Sequence, residues 1–533
     1  MALFDTAGIA HVGPPPSDLL VVAIILAGCY GFYCWLLPKP IPGIPYSAAA
    51  AQSVLGDVLT LQDDPDRLAW WCGKHVFMGP LAKPMVLAAD VGDARDILTG
   101  RSDFDRSSYI VNSFPLFRGF HFRMKTGDAW RTLRAWLKDL MAPPFLHGVA
   151  VPTIHAAVLD LVRLWELQTR FADGRPFSMK DDLRSLALDV ISVLHFGDEF
   201  QESVLARHIQ HVGQLAPAGV VVGPHGEVAF PRAPVHEFTQ GLVEVRDRLA
   251  AIFDAVNTKL LPRLVSWWFR CVALRFRRFF AAKDVFIRRH FDVAVQRSRH
   301  GEQPRTGIDY MVYREEKAAF KAGRAPLVGK QIMIDEAYSN LIAGQHTTSA
   351  ALVWLFKSLS SARLPYLDVV VEGTMRLRAA FLLPRDAVHD TTLLSRVIPK
   401  GTVVVLVAQG HGFEPDTCVN YRHGGKKAWP RRLPGSVASP LDVFDPERWL
   451  REEVVFDGAS HPQLAFGFGV RACWGRRLAK LEMRFMLALV VWGFELLPVL
   501  PAALAGEEAS FDISYRAKKG FVRLRSRGGF NKP

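Results

Sequence analysis

The stretch that decides the reading is Phe466-Gly467-Phe468-Gly469-Val470-Arg471-Ala472-Cys473-Trp474-Gly475-Arg476-Arg477-Leu478-Ala479. Gly467, Gly469 and Gly475 are expected to adopt φ > 0 and to let the backbone approach a flat object closely. Cys473 stands just before apolar residues at Leu478, Leu481, Phe485 and Leu489, the spacing of a helix from about Gly475 to Val491. A cysteine at a helix amino terminus gains from the helix dipole, which favours the metal-binding thiolate. Arg471, two residues earlier, is placed to pair with an anionic group on the same bound object. Two other readings fit the residues. One is a phosphate loop, although GFGVRACWG gives no clean GxGxxG because the sixth position is Ala472. The other is a plain turn into a helix with a small buried cysteine. The residues alone leave these open.

The rest of the chain narrows the class. Its 533 residues suffice for a large core, and 50% are hydrophobic, which excludes a disordered chain. The formal net charge of +13 favours an anionic membrane surface or an acidic protein partner. Nucleic acid is the weakest of the partners such a charge admits, because no zinc-finger spacing or RNA-binding aromatic motif is present. Of the 6 cysteines, Cys29 and Cys34 lie in an apolar run, while Cys72, Cys271, Cys418 and Cys473 are far apart. That pattern is neither a disulfide framework nor a structural zinc site.

Residues Leu19–Leu37, LLVVAIILAGCYGFYCWLL, carry no charge. As a helix they would run roughly 29 Å, close to the hydrocarbon thickness of a bilayer. Asp5 and Asp18 precede the run and Lys39 follows it. That asymmetry puts the amino terminus outside and the body in the cytosol. The expected organisation is a lumenal tail at 1–18, a signal-anchor at 19–37, a proline-rich spacer at 38–46 and a catalytic body at 47–533. Within the body, helical spacing is expected over Asp128–Leu140, Asp181–Leu194 and the basic, aromatic stretch Phe253–Val295. Strands are expected around a Pro399-Lys400-Gly401-Thr402 turn.

The cysteine loop resembles the haem-binding signature FxxGxRxCxG of the cytochromes P-450, at Phe466, Gly469, Arg471, Cys473 and Gly475. The resemblance implies a mainly α fold with small β-sheets and one bound haem b. It makes Cys473 the proximal iron ligand and Arg471 a partner of a haem propionate. A thiolate ligand pushes electron density toward dioxygen and favours O–O cleavage. In Gly127-Asp128-Ala129-Trp130-Arg131-Thr132-Leu133-Arg134, Trp130 and Arg134 match the family's WxxxR helix and resemble a propionate clamp. Arg385 is implied as a further propionate partner. Ala343-Gly344-Gln345-His346-Thr347-Thr348 resembles the oxygen-activation motif, with Thr347 in proton delivery and His346 where the family usually has an acid. A histidine can pass protons near neutral pH. A glycine inside a helix costs about 1 kcal/mol against alanine. Gly344 is therefore expected to leave room for dioxygen.

Two departures stand out. The family's buried ExxR pair is expected to end at Arg376, but Gly373 stands in place of the acid, and the nearest carboxylate is Glu372. Arg448 matches the third member of that brace. The stretch from Thr347 to Arg376 is also about two helices shorter than the family's.

The resemblance implies a monooxygenase acting on an apolar small molecule with dioxygen, most similar to fungal enzymes of secondary metabolism. Electrons would come from NADPH through a membrane-bound reductase with an acidic docking face. The body would sit on the cytosolic face of the endoplasmic reticulum. Phe114, Phe117 and Phe381 are expected to line the substrate side. The competing readings are a degenerate haem protein of the same fold with little turnover and a membrane-anchored scaffold without enzymatic activity.

Overall fold

A computed structural model describes the chain except for residues 1–15, 59, 61–74, 78–82, 89–90, 114–118, 198–199, 201–202, 217–218, 237, 243–273, 361–366, 379–382, 394, 407–442, 452–454, 459–462, 512–514 and 529–533. The described residues are mainly helical, with two five-stranded and three two-stranded sheets. The principal core gathers apolar faces of Val151–Ala172, Lys180–Phe196, Gln331–Ser360 and Arg476–Gly493 around Trp165, Trp354 and Phe494. The expected helix at 128–140 is a helix from Asp128 to Trp136 followed by a 3-10 turn at Lys138–Met141. Of the basic, aromatic stretch, Leu274–Arg299 is helical.

The first sheet has five strands in the order His75–Val76, Met85–Ala88, Val403–Leu406, Leu383–Ala387, Phe104–Arg106. Only the pairing of Val403–Leu406 with Met85–Ala88 is parallel. The Pro399–Thr402 turn forms as the sequence anticipates: Thr402 donates its N–H to the Pro399 carbonyl at 3.1 Å, and Gly401 takes φ +87°. In the last pairing Arg106 stands directly opposite Arg385. That register sets two guanidinium groups side by side.

Pro16–Leu36 forms one helix, and its described side chains from Leu20 to Trp35 are exposed. Among the described residues Pro143–Ala172 is the one helix long and apolar enough to cross a membrane, with 44% of its apolar window buried, while Leu20–Leu36 is a shorter apolar helix. The proline-rich stretch is more than a spacer. Ile41 and Ile44 are buried against Val86, Ile97, Leu98 and Val404, and the Ile41 N–H donates to His75 Nδ1 at 3.1 Å. Proline fixes the backbone there without needing a donor, so the apolar residues between the prolines can dock.

Two expectations about the long helix and the cysteine loop change. A Cβ built on Gly344 would lie 2.8 Å from the Ile191 side chain of helix Lys180–Phe196. Gly344 lets those two helices approach, and helix packing explains its place without any appeal to dioxygen. Gly467 and Gly469 do take positive φ, at +64° and +68°, but Gly475 has φ −76° and caps helix Arg476–Gly493. A Cβ on Gly469 would lie 2.1 Å from the Leu98 carbonyl oxygen, so the close approach is to backbone.

Gly469→Ala should therefore lose more than about 1 kcal/mol of stability, through strained φ and the clash together; calorimetric melting checks it. A second expectation concerns Glu482, whose Oε1 is buried without a hydrogen-bond partner among the described residues. Burial pushes its carboxyl up to about 8. A folded-state value above the unfolded one favours the protonated form on folding. The stability tied to Glu482 is therefore complete at low pH and lost as pH rises from the ordinary carboxylate range toward 8. Glu482→Gln should melt close to wild type at about pH 5 and clearly above it at about pH 8.5.

Candidate active site

The cysteine loop is closed by its own backbone. The Cys473 N–H donates to the Phe466 carbonyl at 2.7 Å, Ala472 to Gly469 at 3.0 Å, and Gly467 to Leu464 at 2.8 Å. Phe466 and Trp474 pack on the main core, and Trp474 Nε1 donates to the Leu137 carbonyl at 3.1 Å. These bonds fix Cys473 just ahead of helix Arg476–Gly493. The Cys473 side chain is exposed, yet enough protein atoms lie around the sulfur to desolvate it. Burial pushes the thiol up, against the Gly475 N–H and the charges of Arg134 and Arg476, which favour the thiolate. The thiolate expected from helix position alone is thus corrected: desolvation outweighs those three contributions. A metal cation at the sulfur would reverse the balance, because a coordinated thiol is deprotonated outright.

Beside the loop lies a cluster of cations threaded with aromatic rings. The Arg471 guanidinium sits 4.2 Å from the Trp130 ring centroid, and that of Arg134 lies 4.1 Å from Trp474 and 5.6 Å from Trp130. Arg471 also donates to the Met124 carbonyl and to Thr126 Oγ1, both at 2.9 Å, and lies 3.8 Å from Asp105. Arg385 is buried in the sheet and donates Nη1 to the Pro384 carbonyl at 2.9 Å. The structure therefore draws Trp130, Arg134, Arg385, Phe466, Gly469, Arg471 and Cys473 toward one region.

Sequence reading missed Arg106, a buried member of the same cluster with its guanidinium 4.3 Å from the Phe122 ring. Period-2 alternation puts it on the same side as buried Phe104, and an arginine on an inward strand face is the signal that was available. Burial, then the neighbouring Arg385 and Arg471, holds Arg106 well below the usual arginine range. Burial and Arg471 lower Arg385 to about 10. Arg106 Nε and Arg471 Nη1 are buried without a hydrogen-bond partner among the described residues. Like charges opposite one another destabilise a sheet. A cofactor carrying two carboxylates would relieve this repulsion. Together with the exposed sulfur, this donor set is one that would fit a haem, with Cys473 available to the iron and Arg106, Arg134, Arg385 and Arg471 available to the propionates.

On the long helix, Ala343 and Thr347 stand one turn apart, Ala343 exposed and Thr347 half-buried, with Thr347 Oγ1 donating to the Ala343 carbonyl at 2.9 Å. His346 turns elsewhere. It is buried against Lys180, Arg184 and Arg516, and burial, then Arg516 and Arg184, drives its pKa down to about 3. The near-neutral titration expected of it is corrected: the ring stays neutral at physiological pH.

The bracing pair is rewired. Glu372 is buried and forms an ion pair with Lys480 of helix Arg476–Gly493, and Gln463 Nε2 donates to its Oε2 at 3.1 Å. Arg376 Nη2 donates to the Val443 carbonyl at 3.1 Å, while Arg448 lies 3.6 Å from Asp445. Each of the three charges thus has a near polar partner without the ExxR geometry. Phe114, Phe117 and Phe381 lie outside the described residues.

The cytochrome P450 family model matches residues 61–361, 360–417 and 440–503. The junction of the first two stretches falls just past the end of helix Gln331–Ser360, where the chain is shorter than expected. The cytochrome P450 monooxygenase xilC of Penicillium crustosum is 53% identical over 96% of this chain and 97% of its own length. The cytochrome P450 monooxygenase TRI13 of Fusarium sporotrichioides is 27% identical over 95% and 97%. Among solved structures, the cytochrome P450DA heme domain matches with TM-score 0.63 at 16% identity, over 93% of this chain and 100% of that one. With a family model across most of its length and relatives that share half its residues end to end, the chain belongs to the cytochrome P450 family and is a monooxygenase of that family.

Proposed function

We propose that this enzyme is a membrane-anchored fungal monooxygenase of secondary metabolism that oxidises an apolar small molecule: R–H + O₂ + two electrons + two protons → R–OH + H₂O. The observation that carries the reading is the exposed Cys473 beside Arg106, Arg134, Arg385 and Arg471, which outnumber Asp105, the carboxylate that lies 3.8 Å from Arg471. A bound haem would supply the oxygen chemistry. The chain supplies the rest. Cys473 offers the sulfur ligand, and the closed loop holds it in place. The arginines orient the group by its acidic edge. Thr347, on the Ala343 face of the long helix, positions a proton with its hydroxyl. Buried His346, neutral at working pH, is a positioning residue on the helix's other side. The xilC and TRI13 relatives, cytochrome P450 monooxygenases of Penicillium crustosum and Fusarium sporotrichioides, support the fungal monooxygenase assignment.

Electrons would come from NADPH through a reductase. Arg476 and Arg477 are exposed next to the cysteine loop, and a basic surface there suits an acidic partner. The helix Pro16–Leu36, apolar and exposed, would anchor the body to the endoplasmic reticulum membrane, with the catalytic part cytosolic. No nucleic-acid partner is proposed.

The deciding experiment is a carbon-monoxide difference spectrum of the reduced protein. It should show the red-shifted band of thiolate ligation, and Cys473→Ala should abolish it; a blue-shifted band or no band would overturn the reading. Arg106→Met should lower the haem-to-protein absorbance ratio. The same variant should raise the melting temperature of the haem-free form, since one buried like charge is gone.

A further inference from the structure

Two ion pairs join helix Leu367–Leu377 to helix Arg476–Gly493: Asp368 with Arg484, and Glu372 with Lys480. They stand about one turn apart on each helix, and the partner numbers fall as the others rise, so the two helices run antiparallel here. The pairs differ in depth. The side chains of Asp368 and Arg484 are 36% and 42% exposed, those of Glu372 and Lys480 3% and 17%. The outer pair is an ordinary surface contact. The inner pair has a third member.

Gln463 stands just before the cysteine loop. Its Nε2 donates to the Glu372 carbonyl and to Glu372 Oε2, each at 3.1 Å. Its Oε1 accepts the Ala465 N–H at 3.1 Å. The loop's own bonds lead on from there, Gly467 to the Leu464 carbonyl and Cys473 to the Phe466 carbonyl. The other carboxylate oxygen, Glu372 Oε1, meets Lys480 on the helix that follows Cys473. One carboxylate thus holds both ends of the loop, Oε2 the entry and Oε1 the exit. Two acceptor oxygens are needed for this. An amide of the same size has one, and its NH2 would turn a donor toward either the Gln463 amide or the Lys480 ammonium.

We propose, resting on the haem-thiolate reading, that Glu372 is a positioning residue for the Cys473 sulfur and acts through Gln463 and Lys480. With both ends held, the sulfur keeps its place ahead of helix Arg476–Gly493. With either end released, the loop gains the freedom to carry the sulfur away from a bound metal. Asp368 and Arg484 pair the same two helices but make no bond to the loop among the described residues, which separates helix pairing from loop positioning.

The test uses the purified full-length, haem-loaded protein. Its reduced carbon-monoxide spectrum is followed with time, well below the melting temperature read by circular dichroism. Glu372→Gln should convert the red-shifted band to the blue-shifted one at least about tenfold faster than wild type, the scale of one lost hydrogen bond to a charged group. Lys480→Arg keeps the cation and should convert at close to the wild-type rate. Arg484→Met should do the same. Should Glu372→Gln fail to fold or to take up haem, Gln463→Met carries the test, because it leaves the ion pair whole, releases only the entry, and should also speed conversion. Conversion as fast in Arg484→Met as in Glu372→Gln would assign the effect to helix pairing and overturn the proposal. A wild-type rate in Glu372→Gln or in Gln463→Met would overturn it too. Wild type without a red-shifted band would sink the haem-thiolate reading and this role together, whereas a stable wild-type band with unmoved variants sinks this role alone.

Discussion

Burying like charges against one another is the constraint on which this molecule turns. Arg106 and Arg385 face each other across a strand pair, and Arg471 arrives from the cysteine loop to join them. Asp105, beside Arg106 in the sequence and 3.8 Å from Arg471, answers these three groups only in part. Aromatic faces take part of the strain: Phe122 lies under Arg106, Trp130 under Arg471, and Trp474 under Arg134. Cation–π contacts of this kind contribute about 0.5–2 kcal/mol each, less than the desolvation of a buried ion. The remaining debt falls to an anionic ligand. Folding and cofactor binding would be coupled here: the sheet register that sets these charges together is the register that would recognise the acidic edge of a haem.

The cysteine loop meets the opposite demand, for stiffness. Its backbone is pinned by a hydrogen bond from Cys473 to Phe466, by the contact of Gly469 with Leu98, and by Trp474 reaching the carbonyl of Leu137. Helix Arg476–Gly493 is in turn tied to helix Leu367–Leu377 through Lys480 and Glu372. That tie joins different residues from the pair the family uses there. An ion pair set one residue earlier on a helix points about 100° away. The partner had to come from another element, and Lys480 is on the helix that lies there.

What the sequence disclosed follows from range. The cysteine loop, the Trp130/Arg134 spacing and the Pro399–Thr402 turn are local patterns, where spacing alone dictates geometry. Helices over 128–136, 180–196 and 476–493 were legible from period. The rest depends on contacts between distant parts of the chain. Arg106 meets Arg385 only through strand pairing, and Glu372 meets Lys480 only through helix packing. The direction of Gly344 toward Ile191 and of His346 toward Lys180 is set by how the long helix rolls on its neighbour. The thiol of Cys473 misled for a related reason: the helix dipole can be read from position, whereas desolvation is a property of everything packed around the sulfur.

The docking of Ile41 and Ile44 has a mechanical consequence. Between the end of the apolar helix at Leu36 and the first buried side chain at Ile41 the chain is free to span at most roughly 17 Å. With the helix in a bilayer, the body cannot drift or tumble at a distance from the lipid. It would be tethered like a plate on a short stem, with the sheet that carries Arg385 and Arg106 held near the headgroups. A hydrophobic compound dissolved in the membrane would then reach the protein by sideways diffusion, at the concentration set by partitioning into lipid and not by its scant solubility in water.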